Sequence, residues 1–180
     1  MAAQPAGLTE LAADMKSMDR RERSEALIDY ADQFEEVPSS VATRPFPEQN
    51  RAPHCESEAF VFVTDNPDGT IKLHFAVENP QGLSAKAWAA ILDETASGRP
   101  LEEVAAIDPH AILDLFGSDL SMGKGLGLTG MLQLVHHEAR KRLKAPIIAR
   151  GWRITQTTPR IVCLYRTATS RHVSRTSSSR

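Results

Sequence analysis

The sequence predicts an α+β fold, with a small antiparallel sheet packed against several helices. Three observations predict it. Helical periodicity runs from Leu8 to Phe34. One strand–turn–strand unit follows a proline-rich stretch. Helical periodicity then returns and holds to about residue 144. Helices segregated from a single antiparallel unit point to α+β rather than to alternating α/β. A hairpin is marginal alone, so a third strand is expected beside it.

The elements follow in order. Leu8, Leu11, Ala12 and Met15 recur at helical spacing, with Gly7 or Thr9 as the cap. Residues 1–7 are expected to be flexible. Arg20 to Phe34 repeats the pattern, with Ala26, Leu27, Tyr30, Ala31 and Phe34 on one face. Pro38, Pro45, Pro47 and Pro53 then make 36–54 an extended loop, because proline removes a donor and restricts its predecessor. Ala59 to Val63 is continuous, apolar and β-prone. Asn66-Pro67-Asp68-Gly69 is a turn. Thr70 to Glu78 alternates, with Ile71, Leu73, Phe75 and Val77 on one side and Lys72, His74 and Glu78 on the other. Ser84 can cap a helix ending at Gly98, and Pro100 opens another. Asp108-Pro109 starts a third that Gly117 ends. Leu128, Met131, Leu132, Val135, Ala139 and Leu143 mark a long last helix, with basic residues in its final turns.

Composition sets limits on function. The 180 residues carry a formal net charge of −2. Seven of the 21 basic residues are arginines in 145–180, a stretch without Lys, Asp or Glu. That leaves 14 basic against 23 acidic residues in 1–144, a formal charge of −9. The stretch 145–180 reads as a basic, disordered Ser/Thr/Arg-rich tail, although 161–165 could form a short strand. No apolar run is long enough for a membrane span, and no secretory signal is read at the N-terminus. A cytoplasmic protein is expected. Two cysteines, Cys55 and Cys163, build neither a disulfide scaffold nor a four-cysteine zinc site.

Cys55 is the residue with chemical promise. It stands where the proline-rich loop becomes a strand, beside Arg51, His54, Glu56, Ser57 and Glu58. Cationic neighbours favour the thiolate and carboxylates oppose it, so the residues alone leave its reactivity open. His54 is adjacent in sequence, and adjacent strand residues point to opposite faces. Gly123-Lys-Gly-Leu-Gly127-Leu-Thr-Gly130 is glycine-rich, but lacks the spacing of a phosphate loop and does not follow a strand. No metal-ligand spacing is found.

Asn50-Arg-Ala-Pro-His-Cys55-Glu-Ser57-Glu-Ala-Phe60 resembles the signature of the SufE family of sulfur acceptors, in which Asn precedes Gly-Cys-x-Ser and an apolar strand. Leu120-Ser-Met-Gly-Lys124-Gly-Leu-Gly127-Leu-Thr-Gly-Met131 resembles that family's second motif. The likeness spans about 8–143, so the expected domain is 8–144. Two departures stand out: His54 replaces glycine, and Lys124 replaces arginine, which keeps the charge but loses the planar fork.

The resemblance implies a sulfur carrier. Cys55 would accept persulfide sulfur from a SufS-like cysteine desulfurase, stimulate it, and pass sulfur to a SufB-like iron–sulfur scaffold. It implies accessory rather than enzymatic status. No cofactor or metal is expected on this chain, since pyridoxal phosphate belongs to the desulfurase. Asn50, Arg51, His54, Ser57 and Lys124 are the expected loop supports or partner contacts. A homodimer is left open; no membrane or nucleic-acid partner is expected. Two other readings remain. One is a cysteine-dependent hydrolase, which needs His74, His110 or His136 at Cys55. The other is an interaction module with a structural Cys55 and a nucleic-acid-binding tail.

Overall fold

A computed structural model describes residues 2–118 and 120–145. The expected tail, with Cys163 and 161–165, lies outside them. In chain order the described elements are α1 (Ala6–Ser17), α2 (Arg20–Asp32), β1 (Ala59–Asp65), β2 (Ile71–Val77), α3 (Leu83–Ala96), α4 (Leu101–Val104), α5 (His110–Phe116) and α6 (Met122–Lys144). No helix among them is long and apolar enough to cross a membrane.

The hairpin is antiparallel, with Ala59 opposite Val77 and Asp65 opposite Ile71. Gly69 takes φ +86° in the turn, a conformation glycine adopts without a Cβ penalty. The strand alternation places Val61, Ile71, Leu73, Phe75 and Val77 in the main core. They pack there with Trp88, Ile91 and Leu92 of α3 and with Leu128, Met131, Leu132 and Val135 of α6. Trp88 buries its whole side chain and donates its indole N–H to the Leu128 carbonyl at 3.1 Å. A buried indole needs such a partner.

The other hairpin face is also covered, by the proline-rich loop. Val37, Phe60, Phe62 and Ala76 form a second cluster with Val41, Ala42 and Phe46. The Phe46 ring lies 5.2 Å from Phe60 and 5.4 Å from Phe62, tilted to both. Arg44 sits over Phe46 and pairs with Glu36 and Glu78, holding the loop down.

Among the described residues the sheet has two strands, with a single bridge on each edge; 161–165, which could form a short strand, lies outside them. Glu36 bridges Phe75 on one edge and Arg51 bridges Phe60 on the other. The prolines break the ladder donors that longer pairing would need.

The helix starts also differ. The first helix begins at Ala6 rather than Leu8, after the buried Pro5. Residues before 8, expected to be flexible, are tied in: Gln4 accepts from the Asp108 N–H at 3.0 Å and donates to Thr9 at 3.1 Å. Asp19 caps α2 in a reciprocal capping box with Glu22. Gly82, not Ser84, is the cap of α3. α5 starts at His110 with Pro109 as its cap, one residue later than the motif predicts, and the Asp108 carboxylate accepts from the His110 N–H. The largest difference is α6. It starts at Met122, so the glycine-rich stretch forms its first turns rather than a loop.

Candidate functional site at Cys55

The backbone from Asn50 to Glu58 sets the position of Cys55. The Asn50 amide donates to the Val61 carbonyl at 2.7 Å, tying the loop to β1. Ala52 donates its N–H to the Ala59 carbonyl at 2.8 Å, and Glu58 to the Cys55 carbonyl at 3.1 Å. Ser57 is held by its carbonyl, which accepts from the Asn79 N–H at 3.2 Å. Arg51 spans the loop mouth, pairing with Glu58 at 2.9 Å and Glu48 at 3.4 Å. The loop is thus bound to β1 and to the segment just past β2, and closed on itself.

Cys55 is flanked by two residues in the left-handed region. His54 has φ +58° and Glu58 φ +50°. For an L-residue this conformation costs roughly 1–2 kcal/mol, and glycine adopts it freely. Hence the glycine of the family signature has a physical reason, and His54 holds the same backbone at some cost. The His54 side chain is exposed.

The floor under the loop is α6. Its glycines at 123, 127 and 130 fall at i, i+4 and i+7, which share one face. A Cβ on Gly127 would meet the Cys55 Cα at 3.0 Å and Sγ at 3.4 Å. A Cβ on Gly130 would lie 2.4 Å from the Pro53 carbonyl oxygen. A Cβ on Gly123 would lie 3.2 Å from a Glu56 carboxylate oxygen. The three missing side chains therefore let the loop rest directly on the helix. Periodicity of apolar residues missed this seam; periodicity of the glycines themselves carries it.

Cys55 is half-buried, on a ridge between two clefts. One, of about 390 Å³, is lined by Ser57, Asn79, Gly82, Ser84, Lys124 and Gly127 among others. The second, of about 500 Å³, is more open and is lined by Glu48, Arg51, Pro53, His54 and Glu56. Five of the six expected site residues thus meet around one thiol, with Asn50 behind them as a tie. Glu56 stands beside the first turn of α6, where the helix dipole favours a carboxylate. The Lys124 side chain is exposed and has no ion pair among the described residues.

The histidines that a hydrolase would need are elsewhere. His74, His110 and His136 line neither cleft. His74 faces Thr64 at 3.0 Å, and His110 contacts Asp108 at 2.9 Å. His136 lies nine residues beyond Gly127 on α6, about 13 Å along the axis. Nor does any group of three His, Cys, Asp or Glu residues among the described ones form a metal cluster.

The likeness to known proteins agrees with this geometry. The family model for SufE, described as an Fe-S metabolism associated domain, matches residues 9–139. Two SufE-like proteins from two strains of Mycobacterium tuberculosis, both described as uncharacterised, are 24% identical over 143 residues, covering 76% of this chain and 94% of theirs. The solution structure of a hypothetical protein from Thermus thermophilus superposes with a TM-score of 0.62 at 27% identity, covering 79% of this chain and 99% of that one. With the family model spanning well over half of its length, this chain belongs to the SufE family.

Proposed function

We propose that Cys55 accepts persulfide sulfur from a cysteine desulfurase, stimulates that enzyme, and hands the sulfur on to an iron–sulfur scaffold in the cytoplasm. The Cys55 thiolate attacks the terminal sulfur of the donor's persulfide. One S–S bond breaks as another forms, the donor cysteine leaves as thiolate, and no net oxidation occurs. Pyridoxal phosphate serves on the desulfurase, outside this chain.

The observation that carries this reading is the placement of one half-buried thiol on a ridge between two clefts, within a family signature. A ridge lets a bulky donor reach the sulfur without dismantling the core. Ser57 and Lys124 line the side from which an anionic persulfide gains polar partners, Asn50 and Arg51 keep the loop in place, and His54 lines the more open cleft on the other side. The hydrolase reading has no such support, since its histidines line neither cleft.

The test is desulfurase turnover of cysteine with wild-type protein or Cys55→Ser, with adducts read by mass spectrometry. Faster sulfide release under reductant and an added mass of about 32 Da (one sulfur atom), both lost in the variant, is the expected result. No stimulation and no adduct with the cognate enzyme would reject the reading.

A further inference from the structure

The Cys55 cleft has a neighbour. Leu27, Ile28, Leu83, Phe116 and Leu120 line a groove of about 240 Å³ between α2, the start of α3 and the end of α5. Its floor is preformed: Leu27 and Phe116 are buried, and the Phe116 ring meets Trp88 edge-on at 6.5 Å. Its walls stand open, with Ile28 44% exposed and Leu83 41%. Ser84 and Lys124 separate the groove from the Cys55 cleft and line both. The groove is therefore a second foothold beside the thiol, divided from it by a polar rim.

Size and charge limit what can occupy it. Small-molecule sites run from about 300 to 1,000 Å³, so this smaller groove suits a single anchoring side chain of a larger partner. The rim adds a second requirement. Lys124 is exposed, with no ion pair among the described residues, and it stands in a stretch, 1–144, whose formal charge is −9. A carboxylate next to the anchoring side chain would complement it. The walls are open while Cys55 is a free thiol, and that is the state a sulfur donor has to recognise.

We propose that this groove is the donor's foothold: an apolar side chain of the cysteine desulfurase seats between Ile28 and Leu83, and a neighbouring carboxylate pairs with Lys124. The proposal rests on the acceptor role of Cys55. It separates two tasks on one face of the molecule. The groove supplies affinity, and the ridge supplies the nucleophile. Lys124 joins them, because its side chain lines both the groove and the Cys55 cleft.

The test titrates the full chain into its cognate desulfurase by calorimetry, without cysteine, so that no persulfide forms. Ile28→Asp should weaken binding about tenfold or more, and Ile28→Met should bind nearly as wild type. Cys55→Ser should bind as wild type. Lys124→Gln should weaken binding several-fold and flatten its salt dependence. Ile28 is exposed, so Ile28→Asp should keep the wild-type unfolding midpoint and the wild-type rate of Cys55 labelling by a small thiol reagent.

If Ile28→Asp binds the desulfurase like wild type, the groove assignment is overturned, while sulfur on Cys55, read by mass spectrometry, would still uphold the acceptor role. If Ile28→Asp takes sulfur from the desulfurase normally but no longer discharges it to the scaffold, the occupant is the scaffold and the proposal fails. A wild-type dimer in sedimentation that Ile28→Asp splits would also overturn it, since a second copy would then fill the groove. Tighter binding by Lys124→Gln would overturn the carboxylate pairing. If wild type binds the desulfurase yet takes no sulfur on Cys55 when cysteine is added, the acceptor role fails, and the donor foothold fails with it.

Discussion

Gly127 lies directly beneath Cys55: a single methyl added to the glycine would stand 3.0 Å from the cysteine Cα and 3.4 Å from its sulfur. The contact joins the two sequence motifs of the chain into one object. It also separates the glycines of α6 into those that must stay and one that need not.

Gly127→Ala and Gly130→Ala should both destabilise the fold, the latter more, since its Cβ would press on the Pro53 backbone at 2.4 Å. Overpacking of this kind costs roughly 1–3 kcal/mol, against about 1 kcal/mol gained in helix propensity. Gly125→Ala meets only Leu120 at 3.6 Å, an ordinary contact, and should stabilise by up to about 1 kcal/mol. Urea unfolding of the three variants checks the order.

His54→Gly removes the side chain that disfavours φ +58°. The relief is about 1 kcal/mol, reduced by the backbone entropy that glycine loses on folding. The expected result is stability equal to or above wild type, with faster labelling of Cys55 by a thiol reagent as the loop loosens. Slower labelling would contradict the role given to His54.

Asn50→Ala deletes the 2.7 Å bond to the Val61 carbonyl. The loss should be about 1 kcal/mol. Because the bond joins the loop to β1, labelling of Cys55 should accelerate more than in Glu48→Ala, which touches only the long 3.4 Å pair with Arg51.

His136 gives the protein an acid-sensitive point. Burial first, and the Arg140 charge second, hold its imidazole below the usual range, against a backbone bond to Ile107 that raises it. Its Nε2 is buried without a hydrogen-bond partner among the described residues. His74 shifts the same way through burial and then Lys72, with Asp93 opposing. The unfolded chain therefore binds protons at a higher pH than the folded one. Stability from both groups is complete above about pH 6.5, the ordinary histidine value, and falls as pH drops below it. Denaturation midpoints at pH 8 and pH 5.5 should show the decline, and His136→Leu should make it shallower.

The legible parts of the chain were those where local chemistry and tertiary packing agree. Ile71, Leu73, Phe75 and Val77 alternate because one hairpin face is core, and Gly69 marks the turn because its φ is positive. Asn50, Arg51, His54, Cys55, Ser57 and Lys124 could be named from two motifs. The start of α6 could not be read from propensity. Four glycines in eight residues argue against a helix on backbone entropy alone, yet Pro53 and Cys55 need that bare surface. The cover on the hairpin's outer face was illegible for a related reason. The hairpin's outer face is covered by Phe46 and Val37 from an irregular loop, whose prolines carry no periodic signal.

The far end of α6 holds a second anchorage. Arg142 grips Asp65 and Glu138, and reaches the Val63 carbonyl at 3.4 Å. The helix is a beam supported at both ends, by this clamp and by the glycine seam, whose Gly127 lies about 22 Å away. A load hung beyond Lys144, such as a fluorophore or a fused domain, falls on the clamp first. The seam beneath Cys55 is mechanically insulated from it, which makes the C-terminal side the place to attach a handle.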